Sequence, residues 1–177
     1  MNGLRFEGLG GAVTVVLAGE PLQMMASHRQ LWPWSVESGG LLFAPSVGSS
    51  DGVVPVSVAT PPHPTDRAAR SWLKLDHDRC QREIHEQFAL GLHFVGYWHT
   101  HPELRPSLSS QDRAALRPLH DDPGIDLSRL VMVVIGGSRQ RLGVQVSILD
   151  RPTRTVHELT AVGEHLAAGT ASFLSSS

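Results

Sequence analysis

A chain of 177 residues is long enough to bury one substantial core and short for two. With 41% hydrophobic and 18% charged residues, a formal net charge of −2 and arginines scattered along the chain, composition describes an ordinary globular domain and gives no argument for a nucleic-acid partner. One cysteine, Cys80, excludes an internal disulfide and a cysteine-built zinc site; with no signal-peptide pattern and no apolar run near the ~20 residues of a membrane helix, the expectation is a soluble, cytoplasmic protein.

Taken in order, residues 11–18 are rich in β-branched side chains and predict a first strand. Glu20-Pro21 opens a predicted helix to about Trp32, with proline at its first position and Leu22, Met25 and Trp32 on one stripe. Pro33 ends it, and Trp32 and Trp34 are expected in the core or at its edge. Glu37 then precedes a second strand over residues 39–45, whose paired glycines, Gly39 and Gly40, would let another backbone or a substrate approach closely. A turn over 46–52 leads to a third strand, 53–60, expected to form a hairpin with the second.

Pro61-Pro62-His63-Pro64-Thr65-Asp66 is incompatible with regular structure, and such a stretch inside a domain is more often functional than idle. Residues 75–90 predict a helix that stacks Cys80, Ile84 and Phe88 at four-residue steps and stops at Gly91, which makes Cys80 a core thiol. Leu92-His93-Phe94-Val95-Gly96-Tyr97-Trp98 is rich in strand formers and runs into His99-Thr100-His101-Pro102. Two apart on a strand, His99 and His101 share a face, and Pro102 biases His101 toward extended backbone. Trp98 is expected to pack beneath them.

Ser109-Ser110-Gln111-Asp112 starts a helix, with Ser109 at the cap and Asp112 in the first turn; it ends near Arg117-Pro118, before a turn at Asp121-Asp122-Pro123-Gly124. Residues 130–135 are a nearly continuous apolar run, hence a central strand buried on both faces, paired with 143–149 across 136–142. Residues 153–159 predict an edge strand, and 164–177 a short helix fading into a serine-rich tail, frayed over 170–177. With no repeat and no linker, the expectation is one α/β (α+β) domain over 1–177, a mixed central β-sheet flanked by helices.

Two neutral imidazoles and a carboxylate, His99, His101 and Asp112, suit a divalent ion, and a zinc held by three protein ligands keeps a fourth position for water. Each piece has a plainer reading: Ser109-x-x-Asp112 is a good helix start, the histidines could face solvent, and Glu37 could be any polar residue before a strand. Only their conjunction points to a metal site. A helical His-Glu-x-x-His pair and the paired cysteines of a zinc deaminase are both missing.

His-x-His-Pro, six residues, then Ser-x-x-Asp, preceded by Glu37-Ser38-Gly39-Gly40-Leu41-Leu42-Phe43, resembles the signature of the JAB/JAMM (MPN-domain) metalloproteases. The resemblance covers residues 37–112; Ala44 stands where many relatives have glycine. It implies an MPN/JAB-like fold, with one Zn²⁺ per chain on His99, His101 and Asp112 and a metal-bound catalytic water. Glu37 would take that water's proton and pass it to the departing amine, and Ser109 would hydrogen-bond the oxyanion.

Members of that family cut amide or isopeptide bonds after the C-terminal tail of ubiquitin or a ubiquitin-like protein. Such a tail can add as a strand beside an exposed edge. It is expected along Gly39 and Gly40 and the stretches 61–72 and 103–108, with Glu103 orienting a ligand or the substrate. Ala59-Thr60-Pro61-Pro62 and Gly-Tyr-Trp-His-Thr-His-Pro-Glu resemble, more narrowly, stand-alone bacterial JAB proteins of conjugative elements and antiphage operons. There the JAB protein reverses the conjugation of a partner, often a nucleotide cyclase, by a ubiquitin-transferase-like protein. A deconjugating isopeptidase is therefore the implied activity, with no nucleic-acid or membrane partner. Two alternatives stand beside it. One is a peptidase of the same fold acting on a sulfur-carrier protein or peptidoglycan peptides. The other is a non-catalytic MPN scaffold, against which the full set Glu37, His99, His101, Ser109 and Asp112 argues.

Overall fold

In the computed structural model, which describes residues 2–46, 52–122 and 124–162, the apolar run at Leu130 lies inside a nine-stranded sheet. The chain forms β1 (Leu4–Gly8), β2 (Val13–Leu17), α1 (Gly19–Ser27), β3 (Gly39–Ala44), β4 (Val53–Val56), β5 (Val58–Ala59), β6 (Arg67–Ala69), β7 (Trp72–Lys74) and α2 (His77–Ala89). It continues with β8 (His93–Thr100), α3 (Ser110–Leu116), β9 (Arg129–Gly137), β10 (Leu142–Asp150) and β11 (Thr155–Val162). The strand order is β4-β2-β1-β11-β10-β9-β8-β3-β5, with β6 and β7 paired separately. β2 with β4 and β8 with β9 run parallel, and every other pair is antiparallel. Only Ser57 separates β4 from β5, the two ends of that order, so the sheet must curl until its ends meet.

Curling gives the sheet an inside and an outside, and β9 divides its side chains between them. Val131, Val133 and Ile135 join the inner core with Phe6, Val15, Leu17, Leu42 and Trp98, and Leu22 and Met25 of α1 pack into the same cluster. Burying Leu22 and Met25, both fully enclosed, contributes roughly 1.5–3 kcal/mol each. Leu130, Met132 and Val134 face outward and pack with Leu108, Leu116 and Leu149, which seats α3. A second outer patch, Leu41 and Phe43 against Cys80 and Ile84, seats α2. Burial there pushes the Cys80 thiol up to about 11, as befits an inert core side chain.

The pairing of β8 with β3 slips by one residue: Leu42 faces Gly96 while Phe43 faces Phe94. Val95 points into the inner core, so strict alternation would send residue 99 inward as well. The extra residue resets the phase, and Trp98 fills the interior instead. His99 and His101 are left on the other face. Gly96 sits at φ +154°, and a β-carbon there would lie 1.9 Å from the Val131 carbonyl oxygen. Only glycine fits.

The loop before α2 is held by a buried network. Arg79, 1% exposed, pairs with Asp66 at 2.6 Å and with Glu83 at 2.7 Å. Asp66 also accepts the backbone N–H groups of His63 and Asp76, at 3.0 and 2.9 Å, so the proline-rich stretch is tied to the start of α2.

Several expectations change. β1 is an additional strand, paired with both β2 and β11. α1 stops at Ser27, and Trp32 and Trp34 are 46% and 74% exposed, outside both helix and core. The expected third strand divides at Ser57: its first half pairs with β2 and only Val58–Ala59 pairs with β3, because the sheet closes through this segment. A hairpin, β6–β7, occupies part of the expected 61–72 loop. Phe88, in the last turn of α2, is exposed, and β11 lies between β1 and β10 instead of at an edge. β9 and β10 pair as expected over their whole length. Most of the 46–52 turn and the 164–177 helix lie outside the described residues. Among the described residues no helix is long and apolar enough to cross a membrane.

Candidate metal centre

Three segments meet at the end of β8. His99 closes the strand's outward face, and His101 follows it with its N–H donated to the Ile135 carbonyl of β9 at 2.8 Å. Thr100 points the opposite way. Its hydroxyl accepts the Ser38 N–H at 3.0 Å and its N–H donates to the Ser38 carbonyl at 2.9 Å. Thus the residue between the histidines clips the chain beside Glu37 to the histidine strand. The Glu37 N–H in turn donates to the Ala69 carbonyl of β6 at 2.8 Å. Beneath them Trp98 is fully buried, with its indole N–H on the Thr60 carbonyl at 2.9 Å.

Asp112 arrives from the first turn of α3. Ser109 caps that helix, its hydroxyl oxygen accepting the Asp112 N–H at 3.1 Å, while the Asp112 carboxylate accepts the Ser109 N–H at 2.7 Å. The same carboxylate faces both imidazoles. Its oxygens lie 3.4 Å from His99 Nε2 and 3.3 Å from His101 Nε2, and the two Nε2 atoms are 3.1 Å apart. Two donors bound at about 2.0–2.1 Å to one tetrahedral ion stand about 3.3–3.4 Å apart. The triangle has that size, and the residues present fit one metal ion.

Glu37, 6% exposed, brings its carboxylate to 3.9 Å from His101 Nε2. Burial pushes the Glu37 carboxyl up to about 7; His101 pulls it back, and the Asp112 and Glu103 carboxylates add to the rise. Burial alone would lower His101, but its hydrogen bond to Asp112 and the charges of Asp112, Glu103 and Glu37 raise it on balance. Burial alone would raise Asp112, yet hydrogen bonds from His101, His99 and Ser109 hold it well below the usual carboxylate range. The site therefore pairs a firmly ionised carboxylate with a carboxyl that can exchange a proton near neutrality.

The exposed Glu103 carboxylate lies 3.3 Å from His101 Nδ1, on the ring edge away from the centre. Gly39 and Gly40 are buried, and the approach they permit is made by the chain itself: β-carbons there would lie 2.5 Å from the Trp98 carbonyl oxygen and 2.3 Å from that of Thr60. Thr100 and the β6–β7 hairpin position the site in addition to the residues expected from the sequence. Period-two alternation turns Thr100 away from its histidine neighbours and was available as a signal; the hairpin has no strand pattern of its own.

Residues 21–147 match the sequence model of a family described as prokaryotic homologs of the JAB domain. A protein from Enterobacter hormaechei subsp. hoffmannii (strain UCI 50), named CD-NTase/cGAS isopeptidase, is 26% identical over 133 residues, 75% of this chain and 72% of its own length. A protein of the same name from Vibrio cholerae serotype O1 (strain ATCC 39315 / El Tor Inaba N16961) is 33% identical over 108 residues, 58% of this chain and 66% of its own. The solution structure of a protein from Desulfitobacterium hafniense resembles this one with a TM-score of 0.57 at 20% identity, covering 79% of this chain and 86% of that one, a likeness of fold alone.

Proposed function

The chain belongs to the prokaryotic JAB-domain family, and from that premise we propose that it is a zinc-dependent isopeptidase of JAMM type. Its substrate in this reading is a conjugate in which the C-terminal tail of a CD-NTase, or of a ubiquitin-like protein, is joined to an amine. The relatives' name motivates the substrate class. The observation that carries the chemistry is the convergence of His99, His101 and Asp112 on one point with the buried Glu37 carboxylate beside them. The setting is a cytoplasmic conjugation system of antiphage or mobile-element type.

Zinc held by those three residues would supply Lewis acidity and lower the pKa of a water at its open position to about 7. The work of the chain's own groups follows from their placement. Glu37 takes the nucleophile's proton on its carboxylate and returns it to the departing amine; a carboxyl that titrates near neutrality serves in both directions. The cap uses the Ser109 oxygen as an acceptor, so its hydroxyl proton is left to donate to the scissile carbonyl oxygen as negative charge grows there, a contribution of about 3–4 kcal/mol. Glu103 keeps His101 Nε2 aimed at the centre.

The test is Glu37→Gln, assayed on a CD-NTase whose C-terminus is fused to a reporter protein. The variant should keep the zinc content of the wild type and lose about 10²- to 10⁴-fold in cleavage rate. A variant that cleaves as fast as the wild type, or a wild type without bound zinc, would sink this reading.

A further inference from the structure

Seven large hydrophobic side chains are exposed among the described residues, and five of them, Trp32, Trp34, Val36, Trp72 and Leu104, come from segments bordering the metal centre. Trp34 is three residues from Glu37, at most about 11 Å along the chain. Leu104 follows Glu103. The β9–β10 turn completes the border: the Gly137 N–H donates to the Glu103 carbonyl at 2.8 Å, and Arg139 lies two residues further on. The two tryptophan rings are stacked, 5.3 Å apart and 7° from parallel, with the Arg139 guanidinium over the Trp32 ring, 4.1 Å from its centroid.

This loop is built in advance. The side-chain amide of buried Gln30 donates to the Ser35 and Arg70 carbonyls at 3.3 and 2.9 Å, and the Arg29 guanidinium donates to the Ser138 carbonyl at 3.0 Å. Arg70 binds the Trp32 and Pro33 carbonyls. Rings held rigid yet left in water gain nothing from the core, and aromatic residues with arginine are the composition of interface centres. The cations on this border, Arg70, Arg105, Arg139 and Arg141, have no carboxylate within ion-pair distance among the described residues.

We infer that the Trp32–Trp34 stack and its arginine border are the docking surface for the folded body of the modifier, the protein whose tail is cut, through an apolar side chain flanked by carboxylates. The inference rests on the isopeptidase reading. Charge complementarity selects an acidic face, and proximity to Glu37 selects a protein already placing its scissile bond at the centre. Within the isopeptidase reading, the modifier is the partner common to every conjugate the enzyme would act on. A rigid surface that needs no ordering on binding suits the common one.

The experiment compares two substrates: a CD-NTase fused through its C-terminus to a reporter protein, and the tail peptide of the same CD-NTase joined to a coumarin amine. Trp34→Ala and Arg139→Glu should raise KM for the fusion at least about tenfold more than for the peptide, and added salt should weaken wild-type action on the fusion selectively. Phe88→Ala, at an exposed aromatic of α2 that packs on His93 at the start of β8, should match the wild type on both. Equal effects on fusion and peptide, or a KM that follows the identity of the reporter, would overturn the inference. Binding of the reporter-free CD-NTase to the Glu37→Gln protein, followed by tryptophan fluorescence, separates the two claims. Failure to cleave with saturable, Trp34-dependent binding rejects the isopeptidase reading and keeps the docking surface, and no binding rejects the surface.

Discussion

Asp112 serves two structures with one carboxylate: it closes the cap of α3 and faces both imidazoles. The two duties can be separated by substitution. Asn keeps an acceptor for the Ser109 N–H and removes the charge, whereas Ala removes both. Zinc titration should show both variants binding metal far more weakly than the wild type. Urea unfolding of the metal-free proteins should show both variants less stable, since both lose the charge, and Asp112→Ala less stable than Asp112→Asn by about 1 kcal/mol, the usual worth of a cap. Equal loss in both would mean that charge, and not capping, sets the stability of that helix start. At this scale the sequence was readable because the chemistry is local: His-x-His on a strand and Ser-x-x-Asp at a helix start each determine which way their side chains point. Glu37 was readable only through its resemblance, since the Thr100 and Ala69 contacts that place it join segments far apart in the chain.

The elements carry two constraints that no single site residue reveals. The first is the slip at Gly96, which sets the face on which the histidines emerge. Gly96→Val drives a side chain into the Val131 carbonyl and should cost 3 kcal/mol or more, about the upper range for overpacking, with zinc binding lost in whatever still folds. Thermal unfolding and metal analysis of the purified variant measure both. The second is the buried Arg79, whose removal strands the Asp66 carboxylate away from water; Arg79→Ala should destabilise by about 3–5 kcal/mol in chemical denaturation. The predicted elements failed where pairing is distant. Leu4–Gly8 alternates apolar and polar side chains but is short; it pairs with its neighbour β2 and also with β11, more than a hundred residues on. The break at Ser57 has no local cause. Residues 67–74 carry no strand pattern and become a hairpin beside Glu37, whose N–H the Ala69 carbonyl accepts.

For the whole molecule, stability should fall with acid below about pH 4. Burial alone would raise Asp150, but the hydroxyl and N–H of Thr153 and the guanidinium of Arg129 together hold its carboxyl below the ordinary value. A carboxyl depressed in the folded state adds stability that is fully present above its unfolded value, about 3.9, and is lost as pH falls from there through the folded value. Asp76, depressed chiefly by the Arg79 N–H, and Asp112 act with the same sign. The urea midpoint should therefore drop below about pH 4, and drop less steeply in Asp150→Asn. An identical slope in that variant would remove Asp150 from the account.

An open sheet carries two margins of unsatisfied amides, each a template on which a foreign strand can polymerise. Here both margins belong to one continuous stretch that turns at Ser57, so the two ends of the sheet meet at that residue. The molecule is thereby guarded against strand-by-strand assembly with its copies, even though so much of its interior is valine, leucine and isoleucine. The hairpin Arg67–Lys74, paired apart from that sheet and touching the backbone of Glu37, keeps a margin of its own.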